Sequence, residues 1–160
     1  MTTSRSGRRP LALWGLIGAL AFLSLGGWYG GVAMLLDPSG VALGMDEVLP
    51  RLPVADFVLP GLFLIVVMGI GPLVVAYGLR ARPRWPVLAG VERASGRSWA
   101  WSAALALGLV LAAWLALQGA LIGFRWPIQY VTAGNAAAIV ALALSPAVQR
   151  DLVRPVGRSW

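Results

Sequence analysis

Long apolar runs alternate with short polar interruptions along this chain, and that alternation predicts the architecture. The runs cover residues 11–36, 57–79, 99–122 and 127–145, and none carries a charged residue. An α-helix needs about 20 apolar residues to cross the hydrocarbon of a bilayer. The pattern therefore predicts an all-α protein, a transmembrane four-helix antiparallel bundle. An arm at 1–10 precedes it, a loop at 37–56 and a second at 80–98 interrupt it, and a tail at 146–160 follows. Asp37-Pro38-Ser39-Gly40 ends the first helix, because proline lacks the donor to continue and glycine supplies a turn. Residues 45–49 are expected to form one short interfacial turn, with Pro50 and Pro53 preventing anything longer. Pro127 suits the first position of the fourth helix.

Small residues inside the runs predict where helices touch. Gly26, Gly27, Gly30 and Gly31 make two overlapping G-x-x-x-G pairs, and small residues four apart let backbones approach closely in lipid. Ala100, Ala104, Gly108, Ala112, Ala116 and Ala120 form a stripe on the third helix. Ala133, Ala137, Ala141 and Ser145 form one on the fourth. The packing residues expected from these stripes are Gly27, Gly31, Gly108, Ala112 and Ala137. Gly69-Ile70-Gly71-Pro72 falls in mid-span, where proline removes a backbone hydrogen bond and kinks the helix. A carbonyl freed at that depth can line a cavity.

Composition narrows the class. The 160 residues are 59% hydrophobic and 12% charged, whereas soluble domains are about 45–50% apolar and about 25% charged. The net charge is +7 and all 13 basic residues are arginine. They lie at the ends of apolar runs, which sets orientation in a bilayer and is not a nucleic-acid footprint. The arm, the 80–98 loop and the tail hold three, five and three of them, against Arg51 and Arg125 elsewhere. By the positive-inside rule both termini and the 80–98 loop are cytoplasmic and the 37–56 loop is external. The start of the chain resembles a signal peptide, but the first run has 26 residues and a signal core only about 7–15.

The chain has no cysteine and no histidine. That removes disulfides, thiol chemistry, His-ligated haem and His-dependent triads. No catalytic motif is present, so catalytic residues, metal ligands and cofactors are all expected to be none. None of the six acidic residues falls in mid-membrane, where a proton-coupled carrier usually keeps one. The remaining polar groups gather toward the outer side: Asp37, Asp56, Gln118, Arg125 and Gln129. They are candidates for a shallow external pocket, or for capping and turn formation. Asp56 and one glutamine are expected to turn inward beneath the proline-rich loop, while Asp46 stays in water. Asn135, deep in the fourth helix, is expected to face another helix.

Three stretches together resemble a known family. GG-x-x-x-L-x-D-P-S-G covers residues 30–40, L-P-x-x-D-F-x-x-P-G covers 52–61, and Q-x-A-L-I-G-F-x-x-x-I-Q covers 118–129. Their order is similar to that in small bacterial four-span integral membrane proteins of actinobacterial type. The resemblance implies a four-span fold in a bacterial plasma membrane and hands over no reaction. Its recurring polar positions match Asp56, Gln118 and Gln129. The leading expectation is a non-enzymatic protein acting through helix contacts, with itself or with a membrane partner, among membrane lipids. The alternative is a binder or carrier of a small lipophilic molecule, a lipid or quinone, through an outer pocket and the Pro72 kink. A membrane-embedded enzyme comes third.

Overall fold

A computed structural model describes residues 9–83 and 85–152; Arg5, Arg8, Arg84 and the end of the basic tail lie outside them. Four helices are long and apolar enough to cross a membrane: α1 (Leu11–Leu36), α2 (Val58–Ala81), α4 (Trp99–Ile122) and α5 (Pro127–Leu144). Two short helices, α3 (Ala89–Ser95) and α6 (Pro146–Leu152), lie at the end of the bundle where the chain termini enter. The described residues form no strand. Each long helix turns large apolar side chains outward, among them Leu11, Leu25, Leu62, Leu73, Leu109 and Val131. A soluble monomer rarely exposes so much apolar surface, and hydrocarbon is the solvent that suits it.

The helices pack as a ring in which α1 touches α2 and α5, and α4 touches α2 and α5. At the termini end the ring is closed by small residues. A Cβ on Gly78 would lie 2.6 Å from the Trp99 ring, and one on Gly108 would lie 2.8 Å from Val140 Cγ2. Trp101 Nε1–H donates to the Ala143 carbonyl at 2.8 Å. Asn135 does face another helix: its Nδ2 donates to the Ala19 carbonyl of α1 at 3.2 Å. Below that bond Gly15 lies against Leu142.

The alanine stripes do not run along these contacts. Gly108 is buried in the α4–α5 contact, but Ala112, Ala116 and Ala120 are exposed, as are Ala137 and Ala141. The cause is geometric. At 3.6 residues per turn, a four-residue step overshoots a full turn by about 40°, so a stripe of fourth residues winds off its face. The buried positions mix steps of three with steps of four instead: Ala100, Ala104, Leu107, Leu111 and Leu115 on α4, and Ala136, Ile139 and Ala143 on α5.

Gly27 and Gly31 are the pair of α1 that faces a neighbour. A Cβ on Gly27 would lie 2.4 Å from the Met68 carbonyl carbon, and one on Gly31 would lie 2.8 Å from the Gly61 carbonyl oxygen. Gly26, of the other pair, faces open space. Opposite Gly27 the expected proline kink takes a specific form, a π-helical stretch over Leu64–Ile70. The widened turn makes room for the Pro72 ring, which would clash with the carbonyl four residues back. The buried Ser24 hydroxyl donates to the Gly69 carbonyl at 2.7 Å, so α1 satisfies backbone that the π stretch displaces.

Two segments read as plain connection or tail carry structure. Pro146 ends α5 and opens α6, as proline at a first helical position allows. α6 folds back so that Val148 and Leu152 are buried and Ser98 N–H donates to the Leu152 carbonyl at 3.3 Å. Arg82 pairs with Asp151, and Arg97 donates to Gln149 Oε1 at 2.9 Å.

Candidate functional site

The loop end of the bundle is built differently. Asp37 caps the end of α1 and starts the loop: its carboxylate accepts from the Ser39 hydroxyl and from the Ala42 N–H at 2.7 Å. Those bonds, the hydroxyl first, hold its pKa below the ordinary value. The turn's carboxylate contribution is therefore present above the usual carboxylate range and lost only as pH falls through that lowered value. Gly40 follows with φ +80°, and a Cβ there would also lie 2.5 Å from the Phe57 ring. A 3-10 helix spans Asp46–Arg51 with Pro50 inside it, longer than the single turn expected, because this short helix tolerates a missing donor near its end. The Phe57 N–H donates to the Pro38 carbonyl at 3.0 Å, which closes the loop.

The closed loop lies over the helix ends as a lid. Val48 and Phe57 bury with Met34 and Ile122, and Leu43, Met45, Leu52 and Trp126 pack around them. Beneath the lid the helices splay. One cavity of about 500 Å³ enters the bundle between α1 and α5, from Phe22, Gly26 and Tyr29 on one side to Ile128, Thr132 and Asn135 on the other. It reaches inward to Met68 and Leu111. A second cavity of about 380 Å³ opens between α2 and α4, past Leu59 and Leu117. Sites for small molecules typically measure about 300–1,000 Å³ and are mostly apolar. No charged residue lines either cavity.

The five polar residues expected to gather here are divided. Gln129 is buried and serves the α4–α5 hairpin. Its Oε1 accepts from the backbone N–H of Arg125 at 2.8 Å and of Trp126 at 3.0 Å, and its Nε2 donates to the Gly123 carbonyl at 3.3 Å. Gln118 lines both cavities. Asp37 is held in its own turn. Asp56 does not turn inward: it is exposed and accepts from the Val58 N–H at 2.9 Å, capping the start of α2. Phe57, the next residue, takes the inward position. A carboxylate there would need donors to replace water, and both Gln129 bonding groups are already used on backbone. Arg125 is likewise exposed, and only its backbone N–H takes part.

Phe57 and Trp114 were not singled out by sequence reasoning, and Gly26 was noted only as part of a small-residue pair, not as a cavity residue. Trp114 stands one helical turn before Gln118, so the helical period places it on the same face. It stacks on Phe63 with ring centroids 4.7 Å apart. Nothing in the sequence distinguishes Gly26, which faces space, from Gly27, which faces backbone. Comparison with protein-family models, with curated proteins and with solved structures found no match.

Proposed function

We propose that this chain is a non-enzymatic multi-pass protein of the bacterial plasma membrane that holds a small lipophilic molecule beneath its loop. Both termini face the cytoplasm and the lid faces outward. The observation that carries the reading is the larger cavity, uncharged, within the membrane-spanning part, and open sideways between α1 and α5. A lipophile enters such a site from the bilayer without crossing water. The closed termini end gives the opening a rigid base, and the lid covers it from above.

Orientation rests on the arginine distribution. Cysteines placed at Ser39 and Ser95 are expected to label from opposite sides of intact cells, with Ser39 external. Labelling of both from outside overturns the topology. The ligand reading is tested by native mass spectrometry of protein released from mild detergent, where one co-purifying lipid or quinone per chain is expected. A second reading, contact with another copy or a membrane partner, draws support from the smooth outer face at Ala112, Ala116 and Ala120. A stoichiometric protein in the same preparation, without a bound lipophile, favours that reading.

A further inference from the structure

We infer that the two cavities form one crosswise site whose polar centre is Gln118, and that the occupant carries a neutral oxygen head, a hydroxyl or a carbonyl, and not a phosphate. The inference rests on the lipophile reading above and narrows its chemistry. The cavities share Met34, Met45, Trp114, Gln118 and Ile122 as a common wall. Their mouths open on different sides of the bundle, one at Phe22, Tyr29 and Ile128, the other at Leu59 and Leu117, all exposed. A chain seated between the mouths passes directly under the lid.

Gln118 sits at the middle of that path. Among the described residues its amide makes no hydrogen bond, although it lies between apolar side chains. The polar side chains that α5 brings to the larger cavity have commitments: Thr132 Oγ1 donates to the Ile128 carbonyl, Asn135 Nδ2 to the Ala19 carbonyl, and Gln129 holds the hairpin. A primary amide offers two donors and an acceptor, and leaving them unmade in an apolar setting is costly. A ligand hydroxyl or carbonyl satisfies them. A phosphate does not suit the wall: it brings charge to a lining with no arginine, and an unpaired charge is far costlier to bury than a dipole.

The test uses the full chain in phosphatidylcholine vesicles and three sixteen-carbon probes with a photoreactive diazirine in mid-chain: the alcohol, the hydrocarbon and the alkyl phosphate. Crosslinks are mapped by peptide mass spectrometry. The alcohol is expected to label cavity-lining peptides about tenfold more than either other probe, the scale of one hydrogen bond in a dry site. In Gln118→Leu the alcohol and the hydrocarbon are expected to label equally, with cavity labelling by the hydrocarbon retained, which also reports that the variant is folded. Equal labelling by all three probes in the unaltered chain, or an alcohol preference that survives Gln118→Leu, overturns the neutral-head inference while the lipophile reading stands. Absence of cavity labelling by every probe overturns both.

Discussion

Gly27→Leu is expected to destabilise the bundle by about 3 kcal/mol, the upper part of the usual range for overpacking a tight interior. The reason is what the new side chain would meet. Its Cβ would fall 2.4 Å from the Met68 carbonyl carbon and 2.6 Å from the Gly69 nitrogen. Those are backbone atoms of the π stretch, which cannot swing aside as a flexible side chain can. Moving them also separates the Ser24 hydroxyl from the Gly69 carbonyl. Gly30 and Gly26 provide the comparison on the same helix. A Cβ on Gly30 would meet only Leu64 Cδ1 at 3.3 Å, and one on Gly26 would meet nothing within 4 Å. Melting the three leucine variants in one detergent should rank them Gly27, then Gly30, then Gly26, from most to least damaging. Equal losses at Gly26 and Gly27 would remove the close α1–α2 contact from the account.

Phe57→Ala is expected to cost about 3 kcal/mol, the usual lower figure for emptying a buried phenylalanine site, and to release the lid. Phe57 is 1% exposed. Its ring fills the space that Gly40 leaves by having no side chain. Without it Val48, Met34 and Ile122 lose their common neighbour. Limited proteolysis should then cut the chain between Asp37 and Asp56 at a rate well above that of the unaltered protein. Asp56→Ala should have a smaller effect on both stability and cutting, because that carboxylate is exposed and serves one backbone N–H. If Asp56→Ala opens the loop as readily as Phe57→Ala, the lid is held by polar contacts and not by the apolar cluster.

The spans were legible because hydrocarbon demands long uncharged runs, and a run announces itself without any tertiary information. The proline signals were legible in part. Pro127 opens α5 and Pro72 distorts α2, but the π form of that distortion depends on α1 supplying Ser24 across the contact. The packing faces were less legible, since Ala112 and Ala137 belong to runs of small residues that look equivalent until the 3.6-residue period is carried through. At the site, Gln118 and Gln129 were visible as polar residues near a turn, yet their roles differ. Gln129 is used up by the 123–126 hairpin and Gln118 is left for the cavities. The inward choice between Asp56 and Phe57 was decided by the price of desolvating a carboxylate. That the proline-rich loop folds over the helix ends was expected, but what holds it was hidden, because its order depends on Gly40, Val48 and Phe57 meeting over α1 and α4.

The central claim is that a lipophile occupies the cavity between α1 and α5, and a pair of glycines on one helix tests it directly. Gly26 lines that cavity, and Gly18 does not. A Cβ on either meets nothing within 4 Å, so phenylalanine at both positions is expected to leave the fold intact. Native mass spectrometry of the unaltered chain, Gly26→Phe and Gly18→Phe, released from the same mild detergent, reads the bound mass on each. The account predicts one lipid-sized or quinone-sized adduct per chain on the unaltered protein and on Gly18→Phe, and its loss or large reduction on Gly26→Phe. An unaltered chain that carries no adduct, or equal adducts on all three, would contradict it.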